Sequence, residues 1–416
     1  MKFFALIVLI AGVVANKRFD KHQVLTLYPT TPEHLSFIQD LENDNNIVDF
    51  WSPDDATSVK INEKVDVRFS SAVLGNIKMK LQEQKMDYEV KIANLQQLID
   101  EQLDLKQMRA SKNGSYDYNV YHTYDEIQQW IADTANQYPN LARKSFFATS
   151  TEGRNVDMLT IGKSTDKPIF LIDCGVHARE WISPAFCQCF INRMLSQYGV
   201  DPQVTRMMDE MTWMIIPLLN VDGYEYTWAN DRMWRKTRSK YDTFCTGVDA
   251  NRNFDINWSG EGASTEPCSN TYCGPSVESE PVVKALSDII RKYKGNIQGY
   301  IAFHSYSQVF VYPYSYAYED TENAAQLNDV SSRAASAIQQ TTSKIYTFGP
   351  GYESMYLVSG GSKDWAYQMG VPLSYTIELR DTGKYGFLLP ESQIDGTCQE
   401  MFQAMIVLAE EAITNT

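Results

Sequence analysis

After its first sixteen residues, the sequence lacks any apolar run approaching the roughly 20 residues that a bilayer-spanning helix needs. The apolar run at residues 3–14 is itself too short, follows a single lysine, and ends in small residues before Asn16. This pattern predicts a secretory signal peptide at residues 1–16, with a membrane anchor as the alternative. We therefore expect a secreted, extracellular protein without a membrane partner.

Positive charge is also scarce. Lys and Arg together number 37 against 52 Asp and Glu, which leaves a net charge of −15. Because nucleic acids and anionic membrane surfaces attract basic proteins, we expect neither as a partner. Charge does not indicate an oligomeric state, and a monomer is the default expectation.

The chain contains only five histidines. His22 and His34 lie in the first hundred residues, and His122 lies in a polar segment. A histidine-built metal site in the larger, later part of the chain must therefore use His177 and His304.

Two regions differ in composition. Residues 17–109 are charged and lack cysteine, with predicted strands at 23–27 and 65–69 and predicted helices at 32–43 and 92–108. This predicts a small α+β domain. The polar segment 110–115 after Arg109 is either an ordinary linker or a site where a trypsin-like protease cuts.

From residue 116 onward, strands and helices alternate, which predicts an α/β domain with a doubly wound sheet. Predicted strands are 169–173, 212–219, 299–303 and 374–379, and predicted helices are 184–198 and 280–294. We expect three parts: a signal peptide at 1–16, a small domain at 17–109 and the large domain at 110–416.

A possible metal site lies at the carboxyl ends of the predicted strands, where such sheets bind ligands. His177 and Glu180 form a His-x-x-Glu turn after the strand 169–173, and His304 follows the strand 299–303. Two histidines and one glutamate leave a coordination position open for water, as a catalytic zinc site requires. The alternative is two unrelated surface histidines.

Acidic and basic side chains near this site suggest further roles. Glu378 lies on a strand with one predicted polar face, and is either a general base or a structural partner of Arg380. Arg179, Arg235 and Arg252 each offer a guanidinium that holds a carboxylate or stabilises an oxyanion, or that forms an ordinary salt bridge.

Seven cysteines in a secreted chain predict disulfides. Cys174 and Cys187 flank the His-x-x-Glu turn, and Cys245 and Cys268 flank a Gly/Ser-rich loop, so each pair is plausible. Cys189, Cys273 and Cys398 remain, of which at least one is free or bonds another chain. The sequons at Asn113 and Asn257 are possible glycosylation sites.

Six motifs together carry a family resemblance. They are His-Ala-Arg-Glu-Trp (177–181), Trp-Arg-Lys-Thr-Arg (234–238), Asp-Ala-Asn-Arg-Asn (249–253), His-Ser-Tyr-Ser-Gln (304–308), Ser-Gly-Gly-Ser (359–362) and Glu-Leu-Arg-Asp-Thr-Gly (378–383). Their order and spacing resemble those of the pancreatic-type zinc metallocarboxypeptidases, A and B, from about Tyr121 to the C-terminus. The preceding region more weakly resembles the family's activation domain.

The resemblance implies a mixed sheet with helices on both faces, one Zn²⁺ per catalytic domain, peptide C-termini as substrate, and a zymogen activated by cleavage after Arg109. It implies roles for the residues that match the family's motifs. His177, Glu180 and His304 match zinc ligands; Glu378 the general base; Arg235 the oxyanion stabiliser; Asn251, Arg252 and Tyr356 the grip on the terminal carboxylate; Arg179, Tyr306 and Phe387 the more distant subsites; and Asp249 the partner of His177. The pairs Cys174–Cys187 and Cys245–Cys268 match family disulfides.

Lys363 departs from the family, in which this pocket position is apolar in A-type and Asp in B-type members. A lysine predicts preference for C-terminal Glu. The alternatives are that Lys363 bends to solvent, leaving an A-type apolar pocket, or that Glu353 neutralises it. Cys273 is a second departure, because the partner expected near Gly260 is missing.

Two other functions fit the sequence less well than a peptidase does. A catalytically dead homologue that binds C-terminal tails would lack a ligand or the base, and none is missing. A hydrolase of N-acyl amino acids would not need the residues that match tail-gripping and peptide-subsite positions.

Overall fold

The computed structural model describes residues 16–41, 47–109 and 116–414, without the side chains of 105–109. The first part contains β1 (Gln23–Tyr28), α1 (Pro32–Gln39), β2 (Val48–Ser52), β3 (Val65–Phe69), α2 (Leu74–Glu83), β4 (Asp87–Ile92) and α3 (Leu95–Arg109). The four strands form an antiparallel sheet in the order β2-β3-β1-β4. Thr31 caps α1 by accepting a hydrogen bond from the His34 amide, and Pro32 occupies the first helical position.

The second part is larger. It contains α4 (Tyr124–Gln137), β5 (Ala142–Thr149), β6 (Asn155–Ile161), β7 (Ile169–Cys174), α5 (Ile182–Gln197), α6 (Pro202–Glu210), β8 (Thr212–Ile216), α7 (Val221–Ala229), α8 (Pro281–Lys292), β9 (Ile297–Ser305), β10 (Val309–Tyr312), α9 (Ala324–Thr342), β11 (Thr347–Pro350), α10 (Gly351–Ser354), α11 (Ser362–Gln368), β12 (Leu373–Leu379) and α12 (Ile394–Thr414). Its strands form one mixed sheet in the order β11-β10-β12-β9-β7-β8-β6-β5. The predicted fold class is confirmed.

The centre of this sheet is parallel, with β12, β9, β7 and β8 running in one direction. Their carboxyl ends therefore meet at one edge, where the predicted site residues lie. All six residues of β7 and all seven of β12 are buried, as expected where both faces of a parallel sheet are covered. The polar face predicted for β12 is buried as well: Ser374 donates a hydrogen bond to the Lys363 carbonyl, and Thr376 and Glu378 line the cavity at the strand ends.

Several predicted element boundaries were wrong. Ile92 ends strand β4, so the helix predicted from residue 92 begins only at Leu95. Helix α1 ends at Gln39 rather than at residue 43. Strand β8 ends at Ile216, directly before Pro217, which cannot donate a backbone hydrogen bond within a sheet.

All seven cysteines lie among the described residues. The structure contains the disulfides Cys174–Cys187 and Cys245–Cys268, and a third, Cys189–Cys398, that joins α5 to α12. Cys273 is buried and unpaired. Its Sγ donates to the Gly274 carbonyl at 3.7 Å. Burial raises the pKa of the thiol, and the nearby Ser259 side chain opposes that effect.

The contact between Ser259 and Cys273 makes a disulfide at this position testable. We expect the Ser259→Cys variant to bond Cys273 and to gain about 3 kcal/mol in free energy of unfolding, the usual gain for closing a loop of about 15 residues. Thiol titration of the denatured protein should detect one thiol in the parent and none in the variant, with Ser259→Ala as the control. Two free thiols in the variant would contradict the predicted contact.

Some sequence predictions fall outside the described residues. These are the signal peptide up to residue 15, the linker 110–115, and the sequon asparagine at 113. The second sequon is described, and its Asn257 Nδ2 donates to Ser359 Oγ at 3.0 Å. In the described part of the chain, no helix combines the length and hydropathy needed to cross a membrane.

Candidate active site

A tight turn connects β7 to α5 and positions the first two candidate ligands. Gly175 has a φ of +70°, and a Cβ there would lie 2.8 Å from Leu218 Cδ1, so the turn requires glycine. Ser183 Oγ accepts from the Gly175 amide and donates to the carbonyl of Phe303 on β9. The turn is thereby held against the end of the neighbouring strand.

The three candidate ligands His177, Glu180 and His304 converge at this edge, all buried. Their ligand atoms lie within 4.8 Å of one another. His177 Nδ1 is 2.8 Å from Glu180 Oε1 and 3.2 Å from His304 Nδ1, which in turn is 3.2 Å from Glu180 Oε2.

This donor set fits a zinc ion. His177 Nε2 donates to Asp249 Oδ1 at 3.0 Å, which leaves Nδ1 with the lone pair that a metal needs. Two nitrogens bound tetrahedrally to one zinc at 2.0–2.1 Å are about 3.3 Å apart, close to the 3.2 Å between the two Nδ1 atoms. Three protein ligands also leave one coordination position open, as in catalytic zinc sites.

The carboxylates of this site differ in their electrostatics. Burial acts to raise the pKa of Glu180, but its electrostatic interactions and hydrogen bonds with His177 and His304 outweigh burial and lower that pKa. Glu378 lies beside His304 in the β12–β9 register. Burial, followed by the negative charge of Glu180, raises the pKa of Glu378 well above its ordinary value, and a bound cation would act in the opposite direction. Arg380 bonds Glu400 instead of Glu378.

Two buried arginines lie at the same edge. Arg235 donates from Nε and Nη2 to Asp249 Oδ2, at 3.1 and 2.8 Å, so the same carboxylate orients both His177 and Arg235. Arg252 is anchored by Nε on the carbonyl of Gly262. Burial opposes ionisation of Asp249, but Arg235 and His177 reverse that effect and hold its pKa well below the ordinary value.

A carboxylate of the small domain forms ion pairs with both of these arginines. Asp54 Oδ2 accepts from Arg235 Nη2 at 2.7 Å and from Arg252 Nη2 at 2.8 Å. Burial acts to raise the pKa of Asp54, but the two guanidinium charges lower it overall. Asp54 therefore remains ionised between the two guanidinium groups.

The predicted specificity residue Lys363 is buried and lines the cavity between the zinc ligands and Arg252, a volume of about 50 Å³. Its Nζ donates to Ser315 Oγ at 2.6 Å and to Asp364 Oδ1 at 2.7 Å. Neither alternative from the sequence is seen, because Lys363 does not bend to solvent and its ion-pair partner is Asp364 rather than Glu353. Burial lowers the pKa of Lys363, with Asp364 opposing that effect.

The remaining predicted site residues also face this region. Asn251 and Tyr356 line the same cavity, and Asn251 Oδ1 accepts from the Ser362 amide at the start of α11. Tyr306 and Phe387 pack edge to face, with ring centroids 5.1 Å apart. The guanidinium of Arg179 lies 4.1 Å from the Phe387 ring centroid.

Sequence reasoning missed several residues that contact this site. Trp51 of the small domain packs on Phe387 and Tyr306, and Asp49 of the same strand binds Arg179. Asp364 was also missed, although its position directly after Lys363 was a visible signal. Asp49 and Asp54 carried no such signal, because the arginines of the large domain that they bind are more than a hundred residues away.

Comparisons with known proteins agree with this geometry. Residues 127–404 match the model of the zinc carboxypeptidase family, and residues 25–102 match that of the carboxypeptidase activation peptide. The chain is 42% identical to human carboxypeptidase B over 97% of this chain and 98% of that protein. It is 40% identical to human carboxypeptidase A6 over 94% of this chain and 90% of that protein. The crystal structure of thrombin activatable fibrinolysis inhibitor superposes with a TM-score of 0.89 at 39% identity, covering 96% of this chain and all of that one.

Proposed function

Because this chain belongs to the zinc carboxypeptidase family and carries that family's activation peptide, we propose that it is a secreted zymogen which, once cut after Arg109, removes acidic residues from peptide C-termini. The observation that carries the proposal is the convergence of His177, Glu180 and His304 beside Glu378 and Arg252. One zinc per catalytic domain and a monomeric enzyme complete the proposal. Relatives of both B-type and A-type match the chain, so the terminal preference rests on Lys363.

The chemistry divides among a few side chains. A zinc ion held by His177, Glu180 and His304 would supply Lewis acidity and favour deprotonation of water. Glu378 takes the proton from the attacking water and gives it to the leaving amine. Arg235, held by Asp249, donates to the carbonyl oxygen as negative charge develops on it.

Arg252 restricts cleavage to the last peptide bond of the substrate. With Asn251 and Tyr356 it grips the free carboxylate of the terminal residue. An internal peptide segment brings no carboxylate to Arg252. Binding such a segment would leave the buried Nη2, which Asp54 occupies in the zymogen, without a charged partner, at a cost of several kcal/mol.

Lys363 selects the terminal side chain. An ammonium group carries three N–H donors, and the structure shows two of them on Ser315 and Asp364. The third supports a charge-assisted hydrogen bond to a substrate glutamate, which is worth roughly 1.5–3 kcal/mol. If Asp364 cancels the charge of Lys363, the pocket instead prefers apolar residues as in A-type members.

Paired peptides test the exopeptidase assignment. We expect the trypsin-activated enzyme to release the last residue from a free-acid peptide, and to leave the same peptide with an amidated C-terminus essentially intact. Mass spectrometry of the products distinguishes terminal trimming from internal cleavage. Internal cleavage of the amidated peptide would contradict the role of Arg252.

The zymogen form yields its own prediction. In an uncut protein carrying Arg109→Gln, we expect Asp54→Ala to raise activity on short peptides by about tenfold or more. The substitution removes the carboxylate that pairs with Arg235 and Arg252, so both arginines become available to the peptide. Asp55→Asn is the matched control, because in the described part of the chain the hydrogen bonds to the Asp55 carboxylate come from Thr57 and Ser58 of its own turn. Equal activity of the parent and Asp54→Ala zymogens would show that Asp54 does not block the site.

A further inference from the structure

A second carboxylate of the small domain occupies a polar site away from the catalytic cavity. Asp49 receives two hydrogen bonds from Arg179 Nη1, at 3.2 and 3.1 Å, and one from Asn270 Nδ2 at 2.9 Å. Both donors belong to the catalytic domain. Asp49 therefore marks a place where that domain binds a carboxylate.

The arginine at this site has unused donor capacity. Arg179 is fully buried, and among the described residues its Nε and Nη2 have no hydrogen-bond partner. Its Nη1 bonds only Asp49, and its guanidinium lies against the Phe387 ring. When the small domain leaves, Arg179 loses this carboxylate, and an unpaired buried charge is costly.

Arg232 of the large domain holds the backbone on both sides of this site, and its Nε also donates to Gln102 of α3. Arg232 donates from Nη1 to the Arg179 carbonyl and from Nη2 to the Phe387 carbonyl. It also lies 3.7 Å from the ring centroid of Trp181. Burial lowers the pKa of Arg232 to about 9, which keeps it charged at neutral pH. Arg232 thus fixes the backbone on both sides of the site and acts as a positioning residue.

We propose that Arg179 and Asn270 form an anion subsite that binds an acidic side chain of the substrate upstream of the cleaved bond. This inference rests on the proposed carboxypeptidase function and specifies its substrates. Trp51, two residues after Asp49 in the same strand, packs on Phe387 and Tyr306, so an aromatic or apolar substrate side chain fits beside the acidic one. Together with Lys363 at the terminal pocket, the subsite favours peptides with acidic C-terminal tails.

Peptides that differ by one functional group test this proposal on the activated enzyme. Each peptide ends in a free glutamate and carries, at one of the upstream positions, either Glu or its neutral isostere Gln. At one position we expect kcat/KM for the Glu peptide to exceed that for the Gln peptide about tenfold. This factor corresponds to the lower end of the energy range of a charge-assisted hydrogen bond. Equal rates at every upstream position, with terminal release intact, would overturn the subsite and leave the proposed function standing.

A variant locates the effect. Asn270→Asp places a negative charge at the site without altering the turn that carries the zinc ligands, so we expect it to lower the Glu/Gln ratio to about one or less. Asn270→Ala removes one donor and should lower the ratio less. An unchanged ratio in Asn270→Asp would overturn the assignment, and failure to cleave any peptide would overturn both this proposal and the proposed function.

Discussion

Replacing Glu378 with glutamine should lower kcat by about 10²–10⁴-fold, the usual contribution of a positioned general base. The amide keeps the size of the side chain but cannot take a proton from water. Glu378 is buried beside His304 in the sheet, and among the described residues no hydrogen bond to its carboxylate is seen, so the substitution breaks no structural pair. We expect KM and zinc content to change little.

Steady-state kinetics with parallel metal analysis measure this effect. Glu353→Gln is the matched control, because Glu353 is an exposed glutamate close to the same region of the chain. Retention of more than a tenth of the parent kcat in Glu378→Gln, with full zinc content, would assign the proton transfer to another group.

Replacing Lys363 with aspartate should reverse the preference for the terminal residue. The parent gains from a carboxylate in the pocket and the variant from a cation, each by roughly 1.5–3 kcal/mol. We therefore expect the Glu-to-Arg ratio of kcat/KM to fall by about 10²–10⁴-fold. Lys363→Met keeps the length of the side chain without its charge, and should prefer a terminal leucine.

The pH dependence of the terminal-residue preference is an independent test of the charge on Lys363. Burial lowers the pKa of Lys363, so the ammonium loses its proton at a lower pH than an exposed lysine does. Preference for terminal Glu over Leu should thus be present at neutral pH and decline as pH rises toward the ordinary lysine range.

For the substitution itself, an unchanged Glu-to-Arg ratio of kcat/KM in Lys363→Asp would show that residue 363 does not contact the substrate side chain.

Local sequence patterns were sufficient to predict that the candidate site lies at the carboxyl ends of the parallel strands. His177 and His304 each lie at the end of an apolar segment, and parallel strands in one sheet bring such ends together. Glu378 was located by the alternation of polar and apolar residues along its own strand. The order of strands, the exact strand ends and the direction of β10 depend on tertiary packing, which no local pattern contains.

Contacts between distant segments could not be predicted in the same way. The bonds from Asp54 to Arg235 and Arg252 join two domains, and neither the charge nor the spacing of Asp54 distinguishes it from Asp55. The Cys189–Cys398 disulfide spans 209 residues and follows from the packing of α5 on α12. Only the folded chain brings such groups within contact distance.

The central claim is tested most directly by terminal release from three matched peptides ending in Glu, Leu or Lys, before and after trypsin and with or without a chelator. The account predicts no release before cleavage, release of Glu above Leu and Lys afterwards, and loss of all release with the chelator. Release of none of the three residues by protein shown to be cut after Arg109 would contradict the account.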